Sequence, residues 1–140
     1  MKKIKLLKTE LIKHPKGNII KLINSKKKIN LPIKESYLSE IFPKKIKAWK
    51  MHKKQDQAIF VLIGSVKFFI YSEYNEKINS FILNNKKFSG IIIPKKTWYG
   101  FGCNSKKKAV VINFLTSYYR KNDNFKLNIK NSIIKDKINI

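Results

Sequence analysis

KAWKMHKKQDQAIFVLIG, running from Lys47 to Gly64, is the stretch whose reading decides the fold. It sets Trp49, Lys50, His52 and Gln57 ahead of an apolar run that stops at a glycine. In an extended chain, residues two apart point to the same face. Lys50 and His52 therefore share a face, and Met51 points to the other. The run Ala58–Ile63 reads as a buried strand. Gly64-Ser65, between two apolar strands, reads as a tight hairpin turn.

The pattern continues outward. SYLSEIF, VKFFIYS, NSFIL, GIIIP and AVVINFL are short runs rich in Ile, Val, Phe and Tyr. Val66, Phe68 and Ile70 alternate with Lys67, Phe69 and Tyr71. The breaks carry Pro, Gly, Asn or Lys, as at Pro43, Tyr74-Asn75-Glu76, Asn84-Asn85-Lys86-Lys87 and Pro94-Lys95-Lys96. Many short strands at a spacing of about 8–12 residues predict an all-β sandwich or barrel. With 140 residues, 43% of them hydrophobic, the chain reads as one folded domain. The core is expected at about 18–119. Residues 120–140 read as a polar, Lys/Asn-rich tail that ends in Ile133, Ile134 and Ile138.

The charge is extreme, with 32 Lys+Arg against 8 Asp+Glu, a net +24. Arg120 is the one arginine, and arginine is the better bidentate reader of phosphate and guanine. The lysines are spread from Lys2 to Lys137 among many Asn, Ile, Phe and Tyr, all residues of A/T-rich codons. Nucleic acid is therefore not the expected partner, although such a field would steer in smaller anions. No apolar run reaches the ~20 residues that span a bilayer, and no signal-peptide pattern opens the chain. A cytoplasmic protein is expected. One cysteine, Cys103, excludes an internal disulfide and a Cys-rich zinc site.

Lys50-x-His52, then Gln57, then Gly64, followed by Pro94-x-Lys96-x-x-Tyr99, resembles the paired motifs of cupins. That resemblance implies a jelly-roll barrel of two antiparallel sheets. In metal-binding cupins the four ligand positions carry His, His, Glu and His. Here they carry Lys50, His52, Gln57 and Tyr99. One imidazole does not hold a first-row metal without partners, so no metal and no cofactor are expected.

A second resemblance spans about residues 35–120. IFPKKIKAWKMHKKQ and IIIPKKTWYGFGCNSKKKAVVINFLTSYY are similar to the dTDP-4-dehydrorhamnose 3,5-epimerase family and its relatives. These are metal-free cupins that act on nucleotide-linked keto-sugars. The family's Arg-Gly-x-His is Lys47-Ala48-Trp49-Lys50 here, so Lys50 stands at the position of the general base. Asn113 stands where the resemblance places the tyrosine acid. The usual dyad is absent as such. What remains are catalytic candidates His52, Lys50 and Tyr99, and substrate-binding candidates Lys47, Trp49, Gln57, Asn113 and Tyr119. His52 can exchange protons near neutral pH. Lys50 can do so only if its surroundings lower its proton affinity.

The resemblance implies an epimerase or keto-isomerase of a nucleotide-linked deoxy-keto-sugar, as used in surface polysaccharide biosynthesis. The alternative is a cupin that binds a sugar or sugar nucleotide without turnover. It also implies a homodimer, in which apolar pieces such as residues 18–23 add to a neighbour's sheet.

Overall fold

The computed structural model describes residues 3–23, 31–84, 86, 90–126 and 138–140. Twelve strands form among them: β1 (Lys5–Leu7), β2 (Glu10–Ile12), β3 (Ile19–Lys21), β4 (Glu35–Ile41), β5 (Ile46–His52), β6 (Gln57–Ile63), β7 (Ser65–Ser72), β8 (Lys77–Asn84), β9 (Gly90–Ile93), β10 (Trp98–Cys103), β11 (Ala109–Leu115) and β12 (Asn124–Lys126). One sheet runs β1-β9-β6-β11-β4 and the other β12-β5-β10-β7-β8, while β2 and β3 form a separate ribbon. Every strand pairing is antiparallel. This is the cupin-type jelly-roll barrel. No described helix is long and apolar enough to cross a membrane.

The alternation read from sequence builds the interior. Val66, Phe68 and Ile70 of β7 enter one buried cluster with Ile59 and Val61 of β6, Ile91 and Ile93 of β9, Phe101 of β10 and Val111 of β11. The rings of Phe68 and Phe101 lie 5.6 Å apart. Interdigitation of two inner faces in this way is the core of a β-sandwich.

Gly64 does a different job from the one expected. β6 and β7 lie in different sheets, so Gly64 turns a barrel corner rather than closing a hairpin. Its φ is +81°, and a Cβ there would meet Ser105 Oγ at 2.9 Å and Ala109 Cβ at 3.1 Å. Only glycine fits both the angle and the space.

The paired strands also extend past the 18–119 core expected from sequence. β1 joins β9 at one edge, and β12 joins β5 at the other. Residues 127–137, most of the expected tail and including Ile133 and Ile134, lie outside the described residues. Ile138 returns to the outer face of the second sheet, buried with Trp49 and Phe69. Lys67 Nζ donates to Asn139 O at 2.9 Å, and a Cβ at Gly102 would strike Ile140. Within the piece expected to reach a neighbour, residues 18–23, β3 pairs with β2 of the same chain. Leu22 and Ile23 pack against the Leu7, Ala58 and Phe60 cluster on the outer face of the first sheet.

Candidate functional site

The site lies at the barrel end where β5, β9 and β11 finish and β4, β6 and β10 begin. Polar side chains replace the apolar core there. His52, Gln57, Tyr99 and Asn113 are all buried.

The strand that carries Lys50 and His52 is not regular. Tyr99 pairs with Lys50, but Phe101 pairs with Lys47, so β5 holds one residue more than β10 over this span. Such a bulge rotates the side chains before it relative to those after it. Strict alternation would put Lys47 with Trp49, on the face away from Lys50. The bulge instead sends both Ala48 and Trp49 to the outer cluster with Phe69 and Ile138. Lys47 then falls on the pocket side, where its Nζ donates to Ser39 Oγ of β4 at 2.9 Å. Gly100 makes room opposite, since a Cβ on it would overlap Ala48 Cβ. Trp49 is therefore set apart from His52, its Nε1 buried without a hydrogen-bond partner among the described residues.

His52 is held on both ring nitrogens. Gln55 Nε2 is 3.0 Å from Nδ1, and the Tyr99 hydroxyl is 3.3 Å from Nε2. With the Gln55 amide nitrogen on Nδ1, the ring proton sits on Nε2 and points at Tyr99. With the amide turned over, its oxygen would accept from Nδ1–H and leave Nε2 as a base. Gln55 Oε1 has no partner among the described residues, so the two amide orientations correspond to the two tautomers. Burial lowers the proton affinity of His52 below the ordinary imidazole value. Asp123 raises it, and Lys50 adds to the lowering.

The turn after His52 is tied from three sides. Asp123 Oδ1 accepts the Lys54 N–H at 2.7 Å, and its carbonyl accepts the Lys53 N–H at 3.2 Å. Asp56 Oδ1 accepts the Lys95 N–H at 2.9 Å, and Thr116 Oγ1 accepts the Asp56 N–H at 3.0 Å. His52 O accepts the Lys96 N–H at 2.6 Å.

The remaining candidates fall as follows. Burial pushes the Tyr99 phenol up. The Gln57 amide draws it back, and Tyr37 adds to the rise. Gln57 Oε1 is buried and unpartnered among the described residues. Asn113 Nδ2 donates to Tyr37 O at 3.4 Å. Lys50 is half-buried. Burial, then Lys126, then Lys47, all lower its proton affinity. Tyr119 is exposed, and its N–H donates to Glu35 Oε2 at 2.7 Å on the rim. His52, Lys50, Tyr99, Gln57, Asn113 and Lys47 are thus gathered at one end, with Trp49 behind the sheet.

Sequence reasoning did not single out Gln55, Tyr37, Asp123, Asn124 or Lys126. Asp123 carried a faint signal, a carboxylate in a Lys/Asn-rich segment of a chain with 8 acidic residues. A cavity of about 500 Å³ is lined by Lys3, Ile4, Tyr71, Glu73, Lys96 and Trp98 among others. Trp98 Nε1 donates to Glu73 Oε1 at 2.7 Å on its wall.

The family model described as FdtA, WxcM-like, C-terminal, matches residues 2–130. The chain belongs to this family. No curated protein matches it. Among solved structures, this WxcM-like chain resembles a dTDP sugar isomerase from Desulfovibrio desulfuricans G20, with a TM-score of 0.81 and 22% identity over 89% of this chain and 83% of that one. It also resembles QdtA, a sugar 3,4-ketoisomerase from Thermoanaerobacterium thermosaccharolyticum solved with TDP, with a TM-score of 0.76 and 22% identity over 89% and 88%. A third is the dTDP-6-deoxy-D-glucose-3,5-epimerase RmlC from Legionella pneumophila in complex with dTDP-4-keto-L-rhamnose, with a TM-score of 0.77 and 18% identity over 89% and 72%. At such identities the likeness speaks for the fold.

Proposed function

We propose that the chain moves a proton at a carbon beside the keto group of a nucleotide-linked deoxy-sugar, as an epimerase or keto-isomerase. The observation that carries this reading is the buried pair of His52 and Tyr99, 3.3 Å apart, at the polar end of the barrel. The lowered proton affinity of His52 keeps its imidazole neutral near pH 7 and available as a base. Tyr99 keeps its proton to higher pH than a free phenol and serves as the hydroxyl donor. Gln57 Oε1 awaits a donor, and a sugar hydroxyl supplies one.

Proton loss beside a ketone leaves an anionic enolate, which donors and cations in a sheltered pocket stabilise. Lys47 and Lys96 are the candidates for the diphosphate. The cavity walled by Tyr71 and Trp98 has room for a nucleobase. The family match and the TDP and dTDP-sugar complexes of similarly folded proteins support the substrate class.

The test has two stages. A thermal-shift screen of dTDP-, UDP- and GDP-sugars finds the ligand. Solvent deuterium exchange into the carbons beside its keto group then reports proton transfer. His52→Ala is expected to slow exchange by about 10²–10⁴-fold. Binding with exchange no faster than buffer refutes the enzyme reading and leaves a sugar-nucleotide-binding cupin. An unchanged rate in His52→Ala removes His52 from the mechanism.

A further inference from the structure

We propose that Lys50 is a covalent group: its amine captures the keto carbon of the bound sugar as an imine. This deepens the reading above and rests on it.

The geometry of the pocket wall carries the inference. Lys50 sits between two cross-strand partners, Tyr99 on β10 and Lys126 on β12. The β5 bulge brings Lys47 to the same side. Three lysines from two adjacent strands therefore share one patch, an arrangement that like charges oppose. Among the described residues around them, the other titratable groups are His52 on β5, Tyr99 on β10, Tyr37 and Glu35 on β4, and Asp123 before β12. Such crowding favours the neutral amine at the half-buried member of the patch. Desolvation and a neighbouring cation are the two ways in which proteins turn a lysine into a nucleophile, and both act on Lys50.

The step balances without an oxidant or a reductant. The Lys50 Nζ lone pair forms a C–N bond to the keto carbon. The C=O electrons go to oxygen, which takes a proton to give the carbinolamine. Loss of water leaves a protonated imine, whose positive nitrogen draws electrons from the neighbouring C–H. His52, two residues along on the same face, accepts that proton and leaves an enamine. Return of a proton to that same carbon from the opposite face restores the imine, and addition of one water releases the epimerised keto-sugar and the free amine.

The experiment uses the full-length protein with dTDP-4-keto-6-deoxyglucose as probe, reduced by sodium cyanoborohydride and read by intact mass and peptide mapping. The expected result is one adduct, on Lys50, equal to the sugar nucleotide less one oxygen. Lys50→Arg keeps the charge and is expected to abolish the adduct. Lys126→Met removes a facing cation and is expected to lower trapping at pH 7. Each unit by which the amine's proton affinity then rises lowers the free-amine fraction about tenfold.

Competitive acetylation across pH 6–10 gives a second readout that needs no ligand. Lys50 is expected to label at lower pH than the exposed lysines. An adduct spread over other lysines overturns the proposal, as does Lys50 labelling in step with the exposed lysines. A thermal shift and deuterium exchange without a reducible adduct overturn the covalent role alone and leave the proposed function standing. Failure of every keto-sugar nucleotide to bind overturns both.

Discussion

Replacing Gly100 by Ala tests whether the bulge in β5 is what shapes the pocket wall. The added Cβ would overlap Ala48 Cβ and lie 3.1 Å from Ala48 Cα and 3.3 Å from Lys47 O. The φ of Gly100 lies outside the left-handed region, so the backbone itself accepts alanine, and the smaller unfolded-state entropy favours the variant by about 0.4–1 kcal/mol. Overpacking against backbone costs about 1–3 kcal/mol. The net expectation is a loss of about 1–2 kcal/mol. Ala48→Gly in the same chain removes the main collision. The double variant is expected to be more stable than the sum of the singles by at least about 0.5 kcal/mol, within the usual range for residues in contact. Urea denaturation of the four proteins of the cycle measures this term. Additive singles, or a Gly100→Ala variant as stable as the parent, would refute the idea that close approach at Gly100 accommodates the bulge.

Gln57→Leu removes a buried, unpartnered carbonyl at nearly constant volume. It also removes the amide's hydrogen bond to the Tyr99 hydroxyl, so stability is expected to change by less than about 1 kcal/mol while the thermal shift with the ligand is abolished; ligand binding left intact counts against a ligand-facing Gln57. Burial lowers the proton affinity of His52 in the folded state. Stability from this group is therefore full above the unfolded imidazole value of about 6.5 and is lost as pH falls through it toward the folded value. Urea midpoints at pH 7.5 and 5.5 are expected to fall less in His52→Asn than in the parent, and equal falls refute the sign. Ile138→Ser uncovers Trp49 and Phe69 behind β5 and is expected to cost about 1.5–3 kcal/mol in the same assay; no change would show that the C-terminal residues do not dock. Leu38 and Ile63 are exposed on the outer face of the first sheet, and Leu11 and Ile19 on the β2–β3 ribbon. Light scattering at micromolar concentration is expected to give a homodimer, and a stable monomer refutes it.

The sequence by itself determined an all-β sandwich or barrel, and its resemblance to cupins chose between the two. Alternation in Val66–Tyr71 and the apolar run Ala58–Ile63 are local properties, and a two-residue period allows one way of facing a core. It also determined that Lys50 and His52 share a face, because no irregularity falls between them. Tertiary structure decided where that periodicity breaks. Lys47 joins the pocket and Ala48 leaves it because β5 bulges opposite Gly100, and a bulge depends on the partner strand's register. Gly64 reads alike as a hairpin or as a corner, and only the assignment of β6 and β7 to different sheets separates the two. Asp123, Asn124 and Lys126 look like a polar tail until β12 pairs with β5, about seventy residues away in the chain. The proton affinities of His52 and Lys50 depend on burial and on neighbours from distant segments, so they belong to the fold.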